Sequence, residues 1–138
     1  MSYEIIVNCV EDTKNTAKKL VKELKNNIIF LTGEIGAGKT TFTKYFVESC
    51  LGIDEAYSPT FSIENRYETN NGLIIHFDLY RMQEEIELDM IGFYETLQED
   101  ATIFIEWADK FNITQYIKNY KTIHFQVNSD GSRTIKIN

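Results

Sequence analysis

The sequence predicts an α/β domain with a mixed sheet, antiparallel hairpin additions and helices on both faces. Three observations carry that prediction. Residues 27–32, Asn-Ile-Ile-Phe-Leu-Thr, are an apolar, β-branched run that reads as a buried strand. The residues that follow, Gly33 to Thr40, spell G-x-x-x-x-G-K-T. Residues 41–51 then contain no Gly or Pro and read as a helix. A strand, a glycine-rich turn and a helix start are the context in which that motif has physical meaning.

The residue types in the motif suit one task, holding phosphate. Glycine lets the backbone curl so that its N–H groups point at phosphate oxygens. The helix start adds partial positive charge. Lys39 has the reach for β- and γ-phosphates, and the Thr40 hydroxyl can ligate magnesium. Gly33, Gly36, Ala37, Gly38, Lys39, Thr40 and Thr41 are therefore candidate nucleotide-binding residues, and the whole chain, 1–138, reads as a single P-loop domain. The sequence holds no Asn-Lys-x-Asp or Thr-Lys-x-Asp guanine-reading motif, so the expected ligands are ATP and Mg2+.

The other elements follow in order. Residues 3–7 read as a first strand. Glu11-Asp12-Thr13 opens a helix, with Ala17, Leu20, Val21 and Leu24 as its apolar stripe. Gly52 is placed to cap the P-loop helix. Residues 60–63 and 73–77 read as two strands joined around Asn70-Asn71-Gly72, a hairpin signal. Residues 84–91 read as an acidic helix ended by Gly92. Residues 102–105 are a buried strand running into Glu106-Trp107. A short helical stretch near 114–118 precedes two strands, 123–127 and 133–137, joined at Asp130-Gly131. Nothing repeats, and Pro59 is the one proline, so no linker is visible.

Composition limits the partners. Apolar residues at 43% are enough for a core. A net charge of −7 disfavours strong direct binding to a phosphate backbone. Cys9 and Cys50 stand in no motif and read as small buried apolar residues in a reducing compartment. The N-terminus lacks the basic and long apolar regions of a signal peptide, and no stretch approaches transmembrane length, so a cytoplasmic protein without membrane contact is expected.

A P-loop needs a carboxylate to hold and orient magnesium. Glu106 and Asp78 each end an apolar run, where ligands bind in open α/β sheets. Glu106 is the metal-facing candidate beside Thr40, and Asp78 the one that orients water. Lys39, Asp78 and Glu106 together form the expected catalytic set. Pro59 biases Ser58 toward extended backbone, so Ser58-Pro59-Thr60-Phe61 is a rigid, hydroxyl-bearing turn placed like a switch loop. Trp107 reads as a packed aromatic that would report on a nearby nucleotide. His76 and His124 have no His or Cys at metal-ligand spacing and read as core or surface residues. The acidic run 84–89 reads as a solvated helix face, with docking of a basic partner as the alternative.

Taken together, the P-loop, Ser58-Pro59-Thr60-Phe61, His76-Phe77-Asp78-Leu79-Tyr80-Arg81 and Ile105-Glu106-Trp107 resemble the TsaE (YjeE) ATPases of bacteria over about residues 10 to 110. The resemblance implies a part in making the threonylcarbamoyladenosine modification beside the tRNA anticodon. It implies an ATPase that acts on a TsaB–TsaD heterodimer, with group transfer belonging to TsaD. By position, Lys39 and the loop would hold phosphates, Thr40 and Glu106 would face magnesium, and Asp78 would serve hydrolysis. Thr60 would lie in the switch-like segment and Trp107 near the nucleotide. Thr13 and Arg133 would flank the base. The chain has Glu34 where the family often has Asp.

Two other classes fit a P-loop. A small-molecule kinase needs a lid with arginines, but the chain is short and has only Arg66, Arg81 and Arg133. A GTPase switch needs the guanine motif that is missing. No arginine finger stands beside the P-loop in sequence, so slow hydrolysis without partners is expected.

Overall fold

Burial on both faces sets the middle of the sheet. Every residue of one strand, Ala101–Glu106, is buried, as suits a parallel strand covered from two sides. The computed structural model describes residues 2–34, 36–51 and 63–138. In chain order the elements are β1 (Tyr3–Val7), α1 (Val10–Lys19), α2 (Val21–Leu24), β2 (Ile28–Gly33), α3 (Lys39–Leu51), β3 (Glu64–Thr69), β4 (Gly72–Asp78), α4 (Ile86–Met90), α5 (Phe93–Thr96), β5 (Ala101–Glu106), β6 (Lys121–Val127) and β7 (Arg133–Ile137). Short 3₁₀ turns cover Ala108–Lys110 and Ile113–Tyr116.

The strands form one seven-stranded sheet in the order β1-β7-β6-β2-β5-β4-β3. The four central strands, β6, β2, β5 and β4, run parallel. β3 joins β4 antiparallel, and β7 and β1 continue antiparallel from β6. The expected mixed sheet with antiparallel additions is what forms.

Side-chain alternation splits the core in two. Ile29, Leu31, Ile74 and Phe104 pack with Ala17, Leu20, Phe42 and Phe46 from α1 and α3. Phe30, Ile75, Phe77, Ile103 and Ile105 pack with Leu88, Phe93, Ile113 and Ile117 on the opposite face. Phe42 sits edge-on to Phe104 and Phe125, with centroids 6.2 and 5.7 Å away. Truncating such a buried ring costs about 3–5 kcal/mol.

Some boundaries differ from expectation. The strand paired with β4 is Glu64–Thr69, and Ile63 lies outside it. The turn decides this: Thr69 pairs with Gly72, so Asn70 and Asn71 alone form the loop, and the partner strand must abut it. The first helix breaks after Lys19 and resumes as α2. The acidic helix is shorter, 86–90, and Gly92 turns the chain into α5 with φ 69°. The stretch near 114–118 is a 3₁₀ turn one residue earlier. Cys50 is buried as expected, but Cys9 is exposed just before α1; both are free thiols. Gly52, Ser58, Pro59, Thr60, Phe61 and Ser62, for which the sequence predicts a helix cap, a rigid turn and a strand, fall outside the described residues. Among the described residues, no helix is long and apolar enough to cross a membrane.

Candidate nucleotide site

Parallel strands deliver their last residues to one edge of a sheet, and the site lies there. Leu31 of β2 and Asp78 of β4 both stand level with Glu106 of β5. The backbone knits the two carboxylate-bearing ends: Leu79 N–H donates to the Glu106 carbonyl at 3.1 Å.

Gly33 leaves β2 at φ 133°, and a Cβ there would lie 2.4 Å from the Phe125 carbonyl oxygen. Only glycine allows β2 to run so close to β6 at this point. Gly36 and Gly38 also have positive φ, 80° and 111°, which curls the loop around the start of α3. Ala37 is buried, and its N–H donates to the Glu34 carbonyl at 3.1 Å.

Lys39 is the cation at the bottom of the loop and is 5% exposed. Its Nζ donates to the Gly33 carbonyl at 2.6 Å and stands 4.1 Å from the centre of the Trp107 ring. A carbonyl and an aromatic face are weak partners for an ammonium group. Phosphate oxygens would be stronger ones.

The Thr40 hydroxyl donates to Glu106 at 3.2 Å to Oε1 and 3.3 Å to Oε2. His76 Nε2 meets Glu106 Oε2 at 2.6 Å, with both side chains buried. Glu106 is thus held from two sides. Asp78 is less enclosed; its Oδ1 accepts the Tyr80 N–H at 3.1 Å. Arg133, the first residue of β7, donates from Nη2 to the Gly36 carbonyl at 3.1 Å. Its buried Nε has no hydrogen-bond partner among the described residues.

These groups surround a cleft of about 320 Å³. Its walls are Gly36, Gly38, Lys39, Thr40 and Thr41 from the loop, Asp78 and Glu106 from the strand ends, and Tyr80, Trp107 and Arg133 around the rim. That size suits a small-molecule ligand. Trp107, at φ 63°, turns its ring against Tyr80, with centroids 5.1 Å apart. Trp107 is both packed against the core, as expected, and a wall of the cleft.

Most of the candidate residues come together here. Gly33 and Ala37 shape the loop without lining the cleft. Thr13 does not join them: it is buried in α1, with its N–H on the Cys9 carbonyl. Thr60 is outside the described residues. Two residues that the sequence did not assign to the site, His76 and Tyr80, belong to it. Alternation along β4 placed His76 on the same side as Asp78, which was a usable signal. What sequence lacked was the pairing of β4 with β5.

No group of three or more His, Cys, Asp and Glu residues among the described ones could hold a metal by itself. A magnesium ion does not need such a cage. It keeps waters and takes phosphate oxygens with one or two protein ligands. The Thr40 hydroxyl and Glu106 carboxylate, hard oxygens meeting beneath the loop, fit that role.

Comparison with known proteins places the chain. Residues 7–135 match the family model for the threonylcarbamoyl adenosine biosynthesis protein TsaE. The chain belongs to the TsaE family. The Rickettsia felis tRNA threonylcarbamoyladenosine biosynthesis protein TsaE is 40% identical over 107 residues, 76% of this chain and 62% of that protein. The chain therefore spans less than two thirds of that relative's length. The Aquifex aeolicus TsaE is 34% identical over 110 residues, covering 78% of this chain and 77% of its own. The crystal structure of Bacillus subtilis YdiB superposes with a TM-score of 0.75 at 30% identity, covering 99% of this chain and 84% of YdiB. TsaE membership and a P-loop α/β fold suggest a nucleotide-binding protein.

Proposed function

We propose that this TsaE chain binds Mg2+–ATP in the cleft and hydrolyses it in support of threonylcarbamoyladenosine formation on tRNA, at the adenosine next to the anticodon. Its partner is a TsaB–TsaD heterodimer, where the group transfer takes place. One observation carries the hydrolytic reading: Thr40, Glu106 and Asp78 converge below a phosphate loop whose lysine, among the described residues, is held by a carbonyl and a ring. The names of the relatives support the pathway.

The residues divide the work as follows. Backbone N–H groups of the loop and the Lys39 ammonium bind the β- and γ-phosphates. Thr40 and Glu106 would hold magnesium, which would supply charge neutralisation at those phosphates. His76 keeps the Glu106 carboxylate turned toward Thr40. Asp78 orients a water for in-line attack on the γ-phosphorus and takes its proton. The bond from the γ-phosphorus to the bridging oxygen breaks, and ADP leaves with the electron pair. Trp107 and Tyr80 wall the cleft against solvent.

Turnover is slow in isolation and rises on the heterodimer, because transition-state charge at the γ-phosphate calls for an arginine aimed at it, and docking would position Arg81 or supply another. The acidic chain is not expected to grip tRNA strongly by itself. The test is phosphate release and nucleotide binding for the wild type, Lys39→Ala and Asp78→Ala, with and without TsaB–TsaD. Lys39→Ala should lose nucleotide. Asp78→Ala should keep nucleotide and lose hydrolysis by about 10²–10⁴-fold. Normal hydrolysis by Asp78→Ala, or phosphate found on an organic acceptor, would sink this reading.

A further inference from the structure

Away from the cleft, on the face built by α4, α5 and the second 3₁₀ turn, the surface is apolar where water should discourage it. Ile86 is 61% exposed, Met90 79% and Tyr116 60%. Ile86 and Met90 stand four residues apart on one side of α4, while Leu88 on the other side is fully buried. Tyr94 forms the floor beside them, its ring edge-on to Tyr116 with centroids 4.9 Å apart. Glu85, Ile86, Asp89, Tyr94 and Tyr116 line one groove of about 530 Å³.

Charge gives the groove a chemical preference. Glu85 and Asp89 lie on its rim, and neither has an ion pair to a basic residue among the described ones.

We propose that this groove docks a segment of a partner protein that carries an apolar side chain flanked by lysine or arginine. The apolar side chain packs on Ile86 and Tyr116, beside Met90, and the cation bridges Glu85 and Asp89. Charge complementarity selects this occupant. A second copy of the chain would bring acid against acid, each copy carrying −7 overall. An anionic membrane or a nucleic acid would be repelled for the same reason. The inference deepens the partner-dependent reading, since it gives that partner a place to bind away from the nucleotide.

The test uses the full chain and the TsaB–TsaD heterodimer as probe. Glu85→Lys/Asp89→Lys and Ile86→Ala/Met90→Ala are surface changes that should leave nucleotide binding, read from Trp107 fluorescence, unaltered. Each should weaken binding to the heterodimer about ten-fold or more, and the charge reversal should also flatten the salt dependence of the wild type. Wild-type binding that neither variant disturbs overturns the groove and leaves the partner reading intact. No binding by wild type overturns both. A wild-type homodimer that either variant dissociates assigns the face to a second copy and also overturns the proposal.

Discussion

On one flank of β2, two parallel strands end in carboxylates; on the other, a strand and a returning hairpin bring a carbonyl and a guanidinium. The acid flank is β5 and β4, with Glu106 and Asp78 at their last positions. The basic flank is β6 and β7, with the Phe125 carbonyl close against Gly33 and Arg133 over Gly36. Both flanks reach the same edge by different geometry. Parallel strands arrive there with their final residues, while antiparallel β7 departs from there and offers its first. On the acid flank Glu106 is buried and doubly held, by His76 and Thr40, while Asp78 is less enclosed. The basic flank is a backbone fit plus one long side chain whose Nε has no partner among the described residues. Glu106 is thus fixed by its neighbours, and Arg133 keeps a spare donor.

Breaking the basic flank at its backbone should have the largest effect. In Gly33→Ala the new Cβ would meet the Phe125 carbonyl, and φ is one that alanine resists. Urea unfolding should show a loss on the order of 3 kcal/mol, with nucleotide affinity lost alongside. An unchanged midpoint would mean β2 and β6 separate freely there.

Breaking the acid flank comes next. His76→Ala leaves the buried Glu106 carboxylate with the Thr40 hydroxyl as its remaining recorded partner. Thermal unfolding should show a loss of about 1–3 kcal/mol. Nucleotide binding should also become less sensitive to added Mg2+, which a purely structural histidine would not alter. Arg133→Ala should leave stability alone and weaken nucleotide affinity about ten-fold, measured by titration in the presence of Mg2+. If instead it unfolds the chain, the basic flank is a structural brace.

The smallest effect lies away from both flanks. Arg66 Nη1 meets Glu99 Oε1 at 2.9 Å, and this hydrogen bond holds the Glu99 carboxyl below its usual range. A depressed carboxyl contributes stability above its unfolded pKa of about 4.3, and the contribution disappears as pH falls through the folded value. Glu99→Gln should therefore melt slightly lower than wild type at neutral pH. The gap should close in strong acid. A gap that persists there would assign the effect to packing.

The P-loop, the two hairpins and the α/β class were legible in residue order because each depends on short-range chemistry. Asn70-Asn71 sets a two-residue turn, and Gly33 and Gly38 adopt backbone angles that other residues resist. The carboxylates were legible as the ends of apolar runs. The apolar run ending at Ile63 hid the strand that pairs with β4, the more polar Glu64–Thr69, whose register the turn sets. Sequence alone determined that a phosphate loop, Asp78 and Glu106 exist and that each ends a strand. Tertiary structure decided what they meet: Thr40 and Glu106 are 66 positions apart, His76 and Glu106 are 30, and Arg133 and Gly36 are 97. Such contacts depend on which strands lie side by side and in what register. That choice is made by burial on both faces of the sheet, and no local pattern records it.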